Sequence, residues 1–236
     1  MNPPAWSGYN YPKMRLRSAV SLLAVLYGAP ALAQGRVIDE GVFTISRTGS
    51  PAATESFKIV RAEGDAILAT GQLISGSRRV TSSLTTDSVG TPVKYDLSVY
   101  ENGALTQHVS ALAQGGRLSA LSKDGRGNES MTEYPLASGK SLLLENDLVH
   151  QSYFITLGKR TGNVQVIEPR GAHRLSLTLT AIGLEPVVIG GRSTTATHYA
   201  LGNGLGRRDF WVDSAGRVLR VETSQGLKAI REELPR

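Results

Sequence analysis

Lys94-Tyr95-Asp96-Leu97-Ser98-Val99-Tyr100-Glu101-Asn102-Gly103 is the stretch that decides the fold. Tyr95, Leu97 and Val99 alternate with Lys94, Asp96 and Ser98, and in an extended chain odd and even side chains leave on opposite faces. The segment therefore carries one apolar and one polar face, and Asn102-Gly103 is the pair that accepts positive φ in a tight hairpin. The same period of two runs through Phe43 and Ile45, Phe57 and Ile59, and Leu175, Leu177 and Leu179. One-faced strands of this kind build antiparallel sheets, whereas the strands of parallel α/β folds read as continuous apolar runs. Gly and Asp punctuate the segments at Glu63-Gly64-Asp65, Lys123-Asp124-Gly125 and Asp213-Ser214-Ala215-Gly216, as turn chemistry requires.

The rhythm breaks between residues 146 and 157. Asn146 or Asp147 can cap a helix there, Gly158 can end it, and Val149, Tyr153 and Leu157 form a stripe at helical spacing. The stretch also alternates as a strand through Val149, Gln151, Tyr153, Ile155 and Leu157; the capping residues favour the helix. The expected architecture is all-β with one helix, a curved antiparallel sheet or half-barrel of about a dozen strands wrapping a single mid-chain helix. Residues 34–236 show no linker, low-complexity tract or repeat, so they read as one domain.

Near the N-terminus, Arg15 and Arg17 precede the run Ala19–Leu26, and Ala31-Leu32-Ala33 follows. A basic start, a short apolar core and a small-x-small site describe a secretory signal peptide over residues 14–33. The core is shorter than the roughly 20 residues a membrane-spanning helix needs. Residues 1–13 lack any such pattern, so they read as an extension and Met14 competes with Met1 as the start. The formal net charge of +6 overstates the basicity, because cleavage after Ala33 removes Lys13, Arg15 and Arg17 and no acid, leaving +3. The expectation is an exported protein, periplasmic or extracellular in a bacterium, with no transmembrane segment after cleavage.

Composition excludes several chemistries. With no cysteine among 236 residues there is no disulfide scaffold, thiol nucleophile or Cys-based metal site. Basic residues occur in scattered pairs such as Arg78-Arg79 and Arg207-Arg208, without the clustered cations and interleaved aromatics of a nucleic-acid groove. Ser138-Gly139-Lys140-Ser141 lacks the glycine a phosphate-binding loop needs at position 134, which is Tyr. No cofactor or metal is expected. Among titratable residues, Glu145, Asp147 and His150 come nearest to a constellation; Asp147 and His150 would be neighbours on a helix and could share a proton or an ion. His198 and Tyr199 fall on opposite faces of a strand, as do Trp211 and its neighbours Phe210 and Val212.

The segments Thr197-His198-Tyr199-Ala200-Leu201 and Phe210-Trp211-Val212-Asp213-Ser214-Ala215-Gly216-Arg217-Val218-Leu219-Arg220-Val221 resemble a pattern in uncharacterised exported bacterial β-proteins, a domain of unknown function. There a strand ending Trp-x-Asp turns through x-x-Gly-Arg into Leu/Val-Leu-Arg. Part of the likeness is hairpin chemistry. Such families are distantly similar to lipoprotein-carrier half-barrels, in which a curved sheet wraps a helix and leaves an apolar groove. The resemblance implies a fold and no functional residues, and the single helix departs from the several lid helices of those carriers.

Three functions follow as expectations. The first is a periplasmic binding or envelope-maintenance module holding an apolar small molecule or lipid, with Tyr153, Val149, Leu157 and Trp211 as ligand-contacting candidates. The second is a structural or interaction protein with a filled core and no ligand. The third is a secreted hydrolase using Glu145, Asp147 and His150. The balance points away from an enzyme. No protein partner can be named.

Overall fold

The structure is a computed structural model that describes residues 35–48, 50–157, 161–203 and 206–235. The expected signal peptide and extension lie outside the described residues. The period-two segments become β1 (Arg36–Arg47), β2 (Ser50–Arg61), β3 (Ile67–Ser75), β4 (Arg78–Thr86), β5 (Pro92–Glu101), β6 (Ala104–Gln114), β7 (Arg117–Asp124), β8 (Glu129–Pro135), β9 (Ser141–Leu143), β10 (Gly162–Glu168), β11 (His173–Ile189), β12 (Arg192–Asn203), β13 (Gly206–Val212), β14 (Val218–Thr223) and β15 (Leu227–Arg231). All fifteen belong to one unclosed sheet in the order β8-β7-β6-β5-β4-β3-β2-β1-β15-β14-β13-β12-β11-β10-β9. The expected all-β class and single mid-chain helix are both observed, with three more strands among the described residues than a count of about a dozen.

The chain meanders outward from β1 to β8, passes to the far edge at β9, and meanders back to β15, which pairs with β1. Neighbouring strands are antiparallel except β9 and β10, which run parallel. A parallel pair cannot be joined by a hairpin and needs a crossover. The chain between β9 and β10 is that crossover, and its described residues 144–157 cross the inner face of the sheet. They fill its middle with Leu144, Leu148, Val149, Phe154 and Ile155, all buried in the main core with Phe43, Ile59, Tyr95 and Leu97.

The helix is shorter than the reading from 146 to 157. A 3-10 turn at His150–Ser152 leads into α1 (Tyr153–Thr156), and residues 146–149 are not helical. The physical reason is that Asp147 does not cap a helix; its carboxylate is taken by two arginines.

Three hairpins share one loop chemistry, built on Asp87, Asp124 and Asp213. In each, the Asp Oδ1 accepts the main-chain N–H two and four residues on, at 2.7–3.1 Å. The glycine three residues on donates its N–H to the Asp carbonyl at 3.0–3.1 Å. The Trp-x-Asp-x-x-Gly-Arg stretch is one of these loops. A second, smaller cluster on the outer face joins Val187, Ile189, Ala196, Trp211 and Leu219.

The two chain ends of the sheet are tied by a buried ion pair: Arg231 on β15 donates to both oxygens of Asp39 on β1, at 2.8 and 3.0 Å. Burial lifts the Asp39 carboxyl above its ordinary value, and Arg231 offsets this only in part.

Replacing Asp124 with Ala removes two main-chain hydrogen bonds and a third from Asn128 Nδ2 at 2.7 Å, and should lower the urea midpoint slightly, because the loop is exposed. Asp213→Ala should cost more, because its side-chain partner is the charged, half-buried Arg217, at 2.8 Å, where Asp124 holds an exposed asparagine. Urea midpoints at unchanged m-value check both.

Candidate functional site

The inner face carries polar groups in phase with its apolar residues. Glu55 on β2 shares the parity of Phe57 and Ile59, Gly71 on β3 that of Ala69 and Leu73, and Ser82 on β4 that of Val80 and Leu84. Cross-strand register sets Gly71 opposite both Phe57 and Ser82. His150 lies over Gly71, where a Cβ would overlap its imidazole, and is stacked on Phe57 with rings 6.4 Å apart. The Glu55 carboxyl accepts the main-chain N–H of Val149 (2.7 Å) and of His150 (2.9 Å) and a third bond from His150 Nδ1. With Nδ1 donating, Nε2 faces the Ser82 hydroxyl at 3.4 Å.

Serine, histidine and carboxylate in that order are the parts of an acyl-transfer relay. Here they are 7%, 1% and 0% exposed, closed off from solvent where the crossover meets the sheet. The group fastens the crossover to the sheet.

A second buried group lies at the start of the crossover. Arg170, in the turn after β10, grips Asp147 bidentately at 2.7 and 3.0 Å and reaches Glu145 Oε2 with Nε at 3.3 Å. Its main-chain N–H donates to Glu145 Oε1 at 3.1 Å. Arg78 adds a bond to Asp147 at 2.8 Å. Burial would raise the Asp147 carboxyl, but the two guanidiniums outweigh it and hold the group below its ordinary value. Glu145 goes the other way: burial pushes it from 4.5 up to about 7, against the pull of Arg170. The Gln151 side-chain oxygen accepts the Glu145 N–H at 2.6 Å.

The three titratable candidates therefore part company. Glu145 and Asp147 meet on Arg170, while His150 turns away to Glu55. No cluster of three metal-ligating side chains forms among the described residues. Of the ligand-contacting candidates, Tyr153 and Leu157 border a cavity of about 590 Å³ together with Thr197, Tyr199 and Val212. Val149 is sealed in the core. Trp211 does not share a groove with them. Its parity places it on the outer face, stacked on His198 at 4.4 Å, with Nε1 donating to Glu185 at 2.8 Å. His198 itself sits between Glu185 (2.8 Å) and Asp209 (2.7 Å).

The interior is thus closed in the middle and open at two ends. The cavity at Tyr153 and Leu157 opens beside the β13–β14 hairpin. Another, of about 240 Å³, opens at the opposite ends of the strands, between Leu144, Val166, Leu177, Leu201 and Arg208. Register extends the first one. Leu184 pairs with Thr197 and Thr197 with Val212, so all three face inward, yet Leu184 is 73% exposed and Val188, four residues on, 62%.

Two outcomes test this account of the buried groups. Glu145 ionises at 4.5 when unfolded and about 7 when folded, so the folded chain holds a proton the unfolded chain releases. Stability from this group is complete below 4.5 and lost as pH rises to about 7. Across that window the protein should lose about 3 kcal/mol relative to Glu145→Gln, read from denaturant curves at each pH. Gly71→Ala should destabilise by about 1–3 kcal/mol through overpacking, whereas Gly71→Ala in a Glu55→Ala, His150→Ala background should cost much less.

No helix of the described residues is long and apolar enough to cross a membrane. A comparison with curated proteins finds no match. Among solved structures, the chain is similar to a beta-barrel-like protein of domain of unknown function DUF1849 from Brucella abortus, at TM-score 0.54 and 8% identity, over 84% of this chain and 98% of that one. That likeness concerns the fold alone. The model of the domain of unknown function DUF6134 matches residues 79–234, from β4 to beyond β15 and including the whole crossover. The chain belongs to the DUF6134 family.

Proposed function

We propose that this protein is an exported binding module that holds an apolar, lipid-like molecule against the open part of its inner face, beside α1. The observation that carries the reading is the inward-facing row Leu184, Thr197 and Val212, which continues the core past the crossover and is left uncovered at Leu184. A sheet face that is apolar, concave and next to a cavity of about 590 Å³ has the size and lining of small-molecule sites. Tyr153 and Tyr199 at its border offer aromatic surface. The basic start, apolar run and Ala31-Leu32-Ala33 site support export to a bacterial periplasm or beyond the cell.

The arrangement of Glu145, Asp147 and His150 gives no support to hydrolysis, since the acids are held by Arg170 and the histidine by Glu55. The filled-core reading draws support from the middle of the interior, where the crossover leaves no space, and none from its ends.

Expressed with its own leader in a Gram-negative host, the exported protein should give a native mass spectrum with a lipid-sized adduct that leaves on activation. Tyr153→Ala should weaken adduct retention more than it lowers thermal stability. A clean apo mass from both proteins would overturn the proposal, and equal losses of retention and stability would reduce Tyr153 to a core residue.

A further inference from the structure

Arg208 on β13 is half-buried and faces inward, in register with Leu201 and in phase with Phe210 and Val212. A guanidinium in that position is costly unless an anion accompanies it. Arg208 has no carboxylate within ion-pair distance among the described residues. Its Nη2 reaches only the carbonyl oxygens of Glu145 (3.4 Å) and Asn146 (3.3 Å), both long for hydrogen bonds. Burial pulls it below its ordinary value, with Glu168 and Asp147 acting from a distance to offset this. The contrast with Arg170 and Arg231, each gripping a carboxylate with two nitrogens, is a difference of kind.

The cavity beside Arg208 supplies the other half of the argument. Leu144, Val166, Leu177 and Leu201 form its floor, and Leu175 stands at the mouth, 39% exposed although it belongs to the inward parity of β11. Arg47 and Arg207 border the same opening. Arg207 is neutralised by Asp209 at 2.8 Å. The one carboxyl on the lining, Glu168, is engaged by Asn146 Nδ2 at 3.2 Å and by His173 at 3.5 Å. What remains is a slot with an apolar floor, a polar rim and two guanidiniums that no carboxylate contacts among the described residues, Arg208 within and Arg47 at the rim.

We propose that this second opening binds the carboxylate of a medium-chain fatty acid, the headgroup on Arg208 and the alkyl chain along Leu175, Leu177 and Leu201. At about 240 Å³ the slot is below the range of drug-sized ligand pockets and suits a single unbranched chain. A carboxylate satisfies both the guanidinium fork and its charge in one contact. The site is separate from the groove beside α1, at the other end of the strands, and does not depend on it.

The test is calorimetric titration of the purified protein with decanoate, decanol and decylamine at neutral pH, repeated on Arg208→Gln and Leu175→Trp. Gln keeps a donor for the two carbonyls and removes the charge; Leu175 is exposed enough for Trp to block the slot without disturbing the core. The protein should bind decanoate about tenfold or more tighter than decanol, as a charge-assisted contact requires, and bind decylamine no better than decanol. Arg208→Gln should lose that preference, keep its affinity for decanol, and keep or gain thermal stability, because an unpaired cation has been removed. Leu175→Trp should weaken decanoate and decanol together. Equal affinities for decanoate and decanol, an unchanged decanoate affinity in Arg208→Gln, or no decanoate binding at millimolar concentration would each overturn the proposal.

Discussion

The Glu55 carboxyl holds the interior together. It rises from β2 into the core and takes three donors from one short stretch of the crossover: the N–H groups of Val149 and His150 and the His150 ring. Those N–H groups lie just ahead of a one-turn helix, where no carbonyl in the preceding turn is placed to accept them. Buried main-chain donors need partners, and Glu55 is the partner. Everything that the crossover does follows from this anchor. It seats His150 in the notch left by Gly71, points Tyr153 and Leu157 at one end of the interior, and leaves Leu144 and Asn146 at the other.

The parallel pairing of β9 with β10 makes the crossover obligatory, and the unclosed sheet makes room for it. A sheet whose edges β8 and β9 do not pair cannot bury its inner face by closure, so something must cover it. The described crossover residues, 144–157, cover the middle only. The two remaining openings differ in charge. One is bordered by tyrosines and the uncovered Leu184, the other by Arg47 and Arg208. The described residues thus leave two chemically distinct openings.

Much of the sheet was legible in the sequence because its signals are local. Tyr95, Leu97 and Val99 announce a one-faced strand and Asn102-Gly103 its turn, with Asn102 and Gly103 both at positive φ in the structure. The face assignments of His198, Tyr199, Phe210 and Trp211 follow from parity alone. The pairing of β1 with β15 was not legible, since nothing local links Asp39 to Arg231 across nearly the whole chain. The helix was overread because Asp147 resembles a cap in sequence, while in space Arg170 and Arg78 claim it. The inward-facing groups did leave a trace: Glu55, Gly71, Ser82 and Arg208 are polar or minimal residues in phase with apolar neighbours on their strands. A charged residue on the core parity of a strand needs a partner, which Glu55 finds in the crossover and Arg208 finds only in two distant carbonyls.

The claim on which the rest stands is that the crossover is a fixed wall and the two openings are permanent features of the folded state. Native-state amide hydrogen exchange at Val149 and His150 tests it most directly. Both N–H groups should exchange only through global unfolding, with opening free energies equal to that of the core amides of β3 and β4. Exchange at Val149 and His150 through a low-energy local opening, while β3 and β4 stay protected, would contradict it and make the interior a space that forms and disappears.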